Sequence, residues 1–384
     1  MRPFRNSFYE KEPAVRPAWL EIDLDAFRAN VAYFRRLAGP QTQVCAVVKG
    51  NAYGHGAVPL SKAALESGAT ILAVAIGCEA RELRDAGITA PILILGDCGC
   101  EDPAEILDAG AVPSVAMIES AEGFNAAAAA REVVADVHVK IDSGMGRWGV
   151  RWDEIVPFAE RFRELANVRL AGLFTHFSIA EAESDFTRWQ YANFLAACAE
   201  IEQIVGPVPF KHCCNTAAAV YYPDMHLSMI RPGAGIYGIN PGLPPESAAQ
   251  IRPALSLRSK LGLIKSVRPG DSVGYGRAWK APRDTRLALV PLGYCDGYPR
   301  VLSSNADVLV GGHRVPIVGR ISMDVMIIDV TEAGEVNVGE EVVLIGTQGD
   351  ERVGVEELAT RAGTTVQEIV SRFGPRLPRV YVNE

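Results

Sequence analysis

Eight short apolar runs, separated by amphipathic or alanine-rich stretches, dominate the first two thirds of this chain. They cover residues 44–50, 70–77, 91–97, 111–117, 135–142, 169–177, 209–215 and 228–238. The runs are apolar nearly throughout, as expected for strands buried on both faces of a parallel sheet. Helix-like segments such as 60–68, 78–87 and 152–166 lie between them, and several end in glycine. The alternation predicts an α/β fold, a (β/α)8 barrel, with a doubly wound open sheet as the main competitor.

The sequence pattern changes after about residue 252. Residues 254–278 predict a strand, a turn at RPGD and a second strand, and residues 306–320 predict two strands joined by a Gly-Gly turn. The preceding segment, 240–250, has the Pro, Gly and Ser content of a linker. We therefore expect a barrel domain over residues 1–251, with about the first 16 residues as an N-terminal extension, and a mostly β domain over residues 252–384.

Charge and hydropathy exclude several classes of partner. The chain has 38 Lys and Arg against 46 Asp and Glu, a net charge of −8, and no long basic stretch that would suit a nucleic-acid groove. No apolar run reaches the ~20 residues that cross a bilayer, and the N-terminus lacks the apolar region of a secretory signal. We expect a cytoplasmic protein that binds neither nucleic acid nor membrane.

The eight cysteines, at positions 45, 78, 98, 100, 198, 213, 214 and 295, are sparse and irregularly spaced. Several lie within apolar runs, which predicts buried thiols in a reducing cytosol. Neither the CGC segment nor the adjacent pair has a second half at zinc-finger spacing, so we expect no metal site.

Charged side chains follow several predicted strands, where a barrel places its reactive groups. Lys49 ends the first strand, and partial desolvation there would lower the pKa of its amine and free it for imine formation. The alternative is a lysine that simply reaches water. Arg147, His176 and Arg231 follow later strands and together favour an anionic ligand, although either arginine alone could form a salt bridge at the rim.

The last two predicted strands lead into segments suited to a phosphate group. Thr216 follows the seventh strand and supplies a hydroxyl. Gly233 and Gly235 follow the eighth strand, where the absence of a Cβ allows a ligand to approach closely. The arrangement resembles the phosphate cradle found after strands seven and eight of many barrels.

Eight segments, in order along the chain, resemble the alanine racemase family: VVKGNAYGHG, KIDSGMGRWGV, THF, NTAA, IRPGAGIYG, VGYGRAW, PLGYCDGYPR and GRISMDV. The likeness runs from about Arg16 to Tyr381. It implies an enzyme that depends on pyridoxal 5'-phosphate (PLP), with a barrel domain, a β domain and a head-to-tail homodimer. It further implies interconversion of L- and D-alanine, which in a bacterium would supply D-alanine for cell-wall synthesis.

The resemblance also assigns roles by position. Lys49 would hold PLP as a Schiff base and act as one base, and Tyr275 of the partner subunit would be the opposing base. The implied cofactor contacts are Tyr53, His176, Asn215, Thr216, Arg231, Gly233 and Ala234, with His176 bridging Tyr275 and Arg231. The implied substrate contacts are Arg147 and, from the partner subunit, Met323 and Asp324.

These roles form a coherent chemistry. Racemisation removes the α-proton from one face of a planar intermediate and returns it to the other, so it needs a base on each side. PLP supplies the electron sink. Arg231 would face the pyridine nitrogen, and because its pKa exceeds ~12 it cannot accept a proton from that nitrogen. The carbanion is then short-lived, which favours reprotonation at Cα over transamination.

Two positions add detail to the resemblance. Lys140 matches a lysine that is often carbamylated in the family, where it steadies the arginine matching Arg147; the alternative is a plain amine held by another acceptor. Aligning RLPRVY with the family places Gln367 where a tyrosine is usual. A glutamine there predicts a looser, more polar pocket, in which serine competes better with alanine.

The resemblance leaves three related activities as alternatives. The nearest is a racemase of broader specificity or one that acts on serine. A PLP decarboxylase with the same barrel would carry a catalytic cysteine motif in its β domain, which this chain lacks, and a small non-catalytic PLP carrier would lack the β domain. Enzymes like D-threonine aldolase need a metal, and no His-x-Cys pair occurs near this C-terminus.

Overall fold

The chain folds into two compact units in a computed structural model that describes residues 17–182 and 184–383. One unit is formed by Leu24–Ala254, and the other by the described residues before Leu24 together with those from Leu255 onward. Within the described ranges, no helix combines the length and the apolar composition that crossing a membrane requires.

The first unit is a parallel barrel built from the eight predicted strands, with one short additional strand at its side. The strands, numbered after β1 (Ala18–Asp23) of the other unit, are β2 (Gln43–Val47), β3 (Ile71–Val74), β4 (Ile92–Asp97), β5 (Val112–Val115), β6 (Ala135–Asp142), β7 (Val150–Arg151), β8 (Val168–Phe174), β9 (Phe210–His212) and β10 (Met229–Ile230). Their order is β10-β2-β3-β4-β5-β6-β8-β9, and the short β7 pairs with β6 at the side.

Two backbone hydrogen bonds bring the sheet close to closure. They run from Ser228 N to Lys211 O (3.1 Å) and from Arg231 N to Cys214 O (2.9 Å), and they join the ends of β9 and β10. A doubly wound sheet would keep two free edges, so the barrel prediction is confirmed. The strands are apolar on both faces because one face points into the barrel and the other packs against helices.

Helices connect the barrel strands. They are α1 (Leu24–Ala38), α2 (Lys49–Tyr53), α3 (Ala57–Glu66), α4 (Gly77–Asp85), α5 (Pro103–Asp108), α6 (Ile118–Ala129), α7 (Ile155–Arg163), α8 (Asp185–Val205), α9 (Thr216–Tyr221) and α10 (Pro245–Ala248). Local sequence explains several of their ends. Asp102 accepts a hydrogen bond from Ala104 N and Pro103 begins α5, a favourable helix start.

The second unit is mostly β, as predicted. Its further strands are β11 (Leu255–Lys260), β12 (Leu263–Val267), β13 (Ser272–Val273), β14 (Trp279–Lys280), β15 (Thr285–Val290), β16 (Asp307–Val310), β17 (His313–Pro316), β18 (Met326–Asp329), β19 (Glu341–Gln348), β20 (Glu351–Val353) and β21 (Arg379–Val382). Two helices, α11 (Val355–Ala362) and α12 (Val366–Ser371), complete it. The predicted Gly-Gly turn joins β16 and β17, and both glycines have positive φ.

Strand β1 belongs to this β unit, whereas the sequence analysis placed its residues in the barrel domain. It pairs antiparallel with β11 and parallel with β21. Ala18, Leu20 and Ile22 are buried, and the residues between them are partly exposed. This alternation is typical of a strand with one buried face and distinguishes β1 from the uniformly apolar barrel strands.

Candidate active site

Lys49 begins α2, with Val48 between it and the end of β2, at the carboxyl end of the barrel strands. Within the described part of the chain, its amine makes no hydrogen bond or ion pair. Burial lowers the pKa of the amine below its ordinary value, the positive charges of Arg147 and Arg231 lower it further, and the negative charge of Glu79 opposes them. A lysine in these surroundings loses its proton more readily than an exposed one.

The chain turns in a left-handed conformation immediately after Lys49. Gly50, Asn51, Ala52 and Tyr53 have φ of 63°, 52°, 52° and 53°. For a residue with a Cβ this conformation costs about 1–2 kcal/mol, and here three such residues adopt it in succession. The turn places the Tyr53 side chain beside Gly233 and Tyr237.

The segments after β9 and β10 form the predicted cradle. Thr216 Oγ1 accepts hydrogen bonds from Gly233 N (3.0 Å) and Gly235 N (3.1 Å). A Cβ on Gly233 would lie 2.7 Å from the hydroxyl of Tyr53, so only glycine leaves room there. Because the Thr216 hydroxyl accepts both bonds, its own hydrogen remains available to an anionic ligand. The cradle thus fits a phosphate group bounded by Tyr53, Thr216, Gly233 and Ala234.

Two further side chains hold this cradle in place. Asn215 caps helix α9 by accepting a hydrogen bond from Ala218 N (2.9 Å), which fixes the start of the helix at Thr216. Tyr237 is fully buried, donates to Val47 O (2.8 Å) and packs against Tyr53 in a tilted arrangement, with ring centres 4.9 Å apart. Tyr237 lies within the IRPGAGIYG segment, but its sequence pattern predicts no role for it.

Arg231 is 4% exposed and is held by three hydrogen bonds. Its Nη1 donates to His212 Nδ1 (2.7 Å), and its Nη2 donates to Thr175 O (2.8 Å) and Cys213 O (3.3 Å). These bonds leave Nε–H without a partner among the described residues. His212 in turn contacts His138, with 3.0 Å between His212 Nε2 and His138 Nδ1.

The guanidinium sets the protonation of both histidines. An arginine can only donate, so His212 Nδ1 must accept and the proton of His212 lies on Nε2, from which it is donated to His138. Burial, with Arg231 nearby, lowers the pKa of His212 well below its ordinary value and that of His138 to about 4. Both imidazoles are therefore neutral at pH 7. The sequence analysis singled out neither.

Lys140, Arg147 and His176 lie in the same electrostatic environment. The Lys140 amine is 5.6 Å from the ring centres of both Trp148 and Phe174. Burial and the neighbouring cations lower its pKa to about 8. The same causes lower the pKa of His176 to about 3. In this chain Arg231 bonds His212 rather than His176, so the predicted bridge from His176 to Arg231 is not among the contacts of Arg231.

The β unit carries the other predicted residues on its surface. Tyr275 is 69% exposed in the turn after β13, and Met323 is 51% exposed. Asp324 accepts a hydrogen bond from Arg376 (2.7 Å), a residue that the sequence analysis did not name. Gln367 lies on α12. Arg376, which follows α12, is the residue that contacts Asp324.

All eight cysteines are free, and five of them are buried. Within residues 17–182 and 184–383, no group of three or more His, Cys, Asp or Glu side chains is arranged to hold a metal ion.

Comparison with known proteins identifies the family. Residues 22–241 match the model of the alanine racemase N-terminal domain, and residues 254–381 match that of the C-terminal domain. A curated alanine racemase of Desulfovibrio desulfuricans is 41% identical over 368 residues, which cover 96% of this chain and 98% of the relative.

Solved structures agree. Alanine racemase from D-cycloserine-producing Streptomyces lavendulae superposes with a TM-score of 0.90 at 37% identity, covering 97% of this chain and 98% of that one. Alanine racemase from Bartonella henselae with covalently bound pyridoxal phosphate gives a TM-score of 0.86 at 26% identity, covering 96% and 100%. The two domain models together span almost the whole described chain, and this protein is an enzyme of the alanine racemase family.

Proposed function

We propose that this protein interconverts L- and D-alanine with PLP as its cofactor. The observation that carries the proposal is the meeting of three groups at one end of the barrel. They are the desolvated amine of Lys49, the cradle around Thr216 and Gly233, and the buried guanidinium of Arg231. PLP requires this combination, because it carries an aldehyde, a phosphate and a ring nitrogen. The names of the relatives and the cofactor in the Bartonella henselae structure support the same reading.

Each group has a part in holding the cofactor. Lys49 would be the point of covalent attachment, and Tyr53, the Thr216 hydroxyl and the backbone N–H of Ala234 would donate to the phosphate, for which Gly233 leaves room. Asn215 contributes by fixing the position of Thr216. Arg231, whose Nη1 and Nη2 already donate within the protein, would have its Nε–H available to the ring nitrogen. When bound, PLP supplies the electron sink that stabilises negative charge at Cα of the substrate.

The protein's own residues move the proton. The lowered pKa of Lys49 allows its neutral amine to take the α-proton on one face. Tyr275 of the partner subunit acts on the opposite face, so the enzyme works as a homodimer with shared sites. Arg147, with Met323 and Asp324 of the partner subunit, holds the substrate carboxylate. The exposure of Tyr275 and Met323 supports their use against a second subunit.

Arg231 would influence whether the enzyme racemises or transaminates its substrate. A guanidinium donates and does not accept, so it leaves the ring nitrogen without an added proton. Bound PLP would then withdraw less charge from Cα, so the protein's bases would return a proton to Cα quickly. This favours racemisation over transamination. The neutral His212 behind Arg231 is an acceptor and keeps the guanidinium oriented.

The state of the cysteines bears on where the enzyme works. Free thiols at all eight cysteines suit a reducing compartment, and we place the enzyme in the cytoplasm. In a bacterium it would supply D-alanine to cell-wall synthesis.

The test has two parts. Borohydride should fix PLP to Lys49, as peptide mass spectrometry would show, and the purified protein should convert L-alanine to D-alanine, as chiral chromatography would show. Attachment without alanine turnover would keep the cofactor and reject the reaction. The ratio of kcat/KM for L-alanine and L-serine separates an alanine racemase from a serine or broader racemase, and the comparison in Gln367→Tyr tests whether that position affects the choice.

A further inference from the structure

The carboxylate of Glu79 joins the ends of two neighbouring barrel strands. Its Oε1 accepts a hydrogen bond from Gly50 N (2.5 Å), and its Oε2 accepts one from Ala75 N (2.7 Å). Gly50 directly follows Lys49, and Ala75 directly follows β3. Both oxygens of a single side chain in the first turn of α4 are thus committed to the backbone beside the lysine.

The turn that Glu79 contacts needs restraint. It is left-handed from Gly50 to Tyr53, a conformation that residues with a Cβ rarely adopt by themselves. One side-chain hydrogen bond holds its start, at Gly50, and another holds the following segment, where Asn51 Oδ1 accepts from Ala57 N (2.8 Å). Because Lys49 and Tyr53 flank the turn, a shift of its backbone would move the attachment point and the phosphate contact together.

Glu79 also differs in charge from the other groups around the Lys49 amine. The titratable and charged groups that act electrostatically with the Lys49 amine are Glu79, Arg147, Arg231, Lys140 and His176. Three of these are cations and one is a neutral imidazole. Among the described residues, Glu79 is the carboxylate that opposes the cations at this amine. Its removal would leave the lysine facing positive charge alone.

We propose that Glu79 is a positioning residue for Lys49, which fixes the left-handed turn after the lysine and supplies the negative charge that balances the surrounding cations. The inference rests on the proposed function, because it takes Lys49 as the attachment point of PLP. Glu79 acts through the backbone of Gly50 and through the field at the amine. It exchanges no proton with the substrate.

Three variants of the PLP-loaded enzyme separate the two contributions. Glu79→Gln removes the charge at nearly constant size, Glu79→Asp keeps the charge on a shorter side chain, and Glu79→Ala removes both. Glu101→Gln is the matched control, because the Glu101 carboxylate also accepts a backbone hydrogen bond nearby, from Gly77 N (2.7 Å), without touching the lysine turn.

Two readouts do not depend on turnover. The first is the pH midpoint at which the absorbance of bound PLP reports loss of the proton from the Lys49 nitrogen. Glu79→Gln should lower this midpoint by about one pH unit, because the protonated nitrogen loses a favourable charge. Glu79→Asp should stay near the wild-type midpoint. The second readout is release of PLP on dilution, which Glu79→Ala should accelerate about tenfold or more, because charge-assisted hydrogen bonds are lost.

The outcomes are distinguishable from failure of the proposed function. If borohydride does not fix PLP to Lys49 in the wild type, the proposed function fails before any variant is compared. If it does, a Glu79→Gln enzyme that titrates no earlier than the wild type overturns the role of Glu79, as does an equal shift in Glu101→Gln. Should Glu79→Ala fail to fold, the near-isosteric Glu79→Gln still decides the question.

Discussion

The barrel unit and the β unit hold their site residues in opposite ways. In the barrel, Arg231 is 4% exposed and is fixed by hydrogen bonds to His212, Thr175 and Cys213. In the β unit, Tyr275 is 69% exposed and lies in a surface turn. The barrel therefore organises its part of the chemistry by its own packing, whereas the residues of the β unit are presented outward. The proposed function uses this difference: the cofactor would be held within the barrel unit, and Tyr275 would act as the second base only in an assembly of two subunits.

Removal of the lysine should have the largest effect. Lys49→Ala should lose covalent PLP and lower alanine racemisation by about a thousandfold or more, because the attachment point and one base disappear together. Absorbance after borohydride treatment and chiral analysis of alanine would measure the two losses. Lys62→Ala, at an exposed position on α3, is the control and should behave as wild type. Wild-type turnover in Lys49→Ala would reject the assignment of the barrel site.

Removal of the Tyr275 hydroxyl tests the contribution of the β unit, the proposed second base. Tyr275→Phe should keep the absorbance of bound PLP and lower turnover by about a hundredfold or more, because only the proton transfer on one face is lost. Deuterium from solvent should then enter Cα on a single face, since Lys49 still works on its side. Equal slowing of exchange on both faces would show that Tyr275 has a structural role instead.

Mixing the two inactive variants tests whether Lys49 of one subunit and Tyr275 of the other form one active site. A mixed dimer of Lys49→Ala and Tyr275→Phe subunits would hold one intact site and one site that lacks both groups. Random exchange of equal amounts should therefore restore about a quarter of the wild-type activity. Mass spectrometry of the intact dimers would verify the exchange. Verified mixed dimers without activity would mean that each subunit completes its own site.

Much of this organisation could be predicted from the sequence, whereas contacts between residues far apart along the chain could not. The eight barrel strands were predictable because burial on both faces leaves an uninterrupted apolar run. The position of β1 was missed, although its alternating burial differs from those runs. Thr216 and Gly233 could be proposed as neighbours because a local motif carries each of them, and the structure joins them by a hydrogen bond of 3.0 Å. Glu79 and His212 were missed because their partners lie far along the chain, at Gly50 and Arg231, and no local pattern shows such a contact.

The buried histidines predict a pH dependence that belongs to the barrel. The pKa of His138 is lowered to about 4, whereas an unfolded histidine titrates near 6.5. As the pH falls from 6.5 to 4, the unfolded chain binds a proton that the folded chain does not, so the free energy of unfolding falls by roughly 3 kcal/mol per such group. Urea unfolding between pH 4.5 and 7.5 would measure this slope.

His138→Phe tests whether His138 causes this pH dependence of stability, and His313→Phe is its control. His138→Phe should be less stable at pH 7 by about 1–3 kcal/mol, because His212 Nε2–H loses its buried acceptor, and its pH slope should be shallower. His313 is exposed on β17 of the β unit, and its replacement should leave both quantities unchanged. An unaltered slope in His138→Phe would show that the pH dependence arises elsewhere.

The smallest expected effect concerns Lys140, whose amine could be converted to a negatively charged carbamate. Its pKa of about 8 leaves roughly a tenth of the amine neutral at pH 7, and a neutral amine can add CO2 to form a carbamate with release of a proton. The resulting negative charge would lie beside Arg147 and steady it. We expect a carbamate signal by NMR with ¹³C-bicarbonate and a several-fold loss of activity when CO2 is removed. Lys140→Arg cannot form the carbamate and should not respond to CO2. If the wild type gives no such signal and ignores CO2, Lys140 remains a plain ammonium between the rings of Trp148 and Phe174, and Arg147 must be oriented without it.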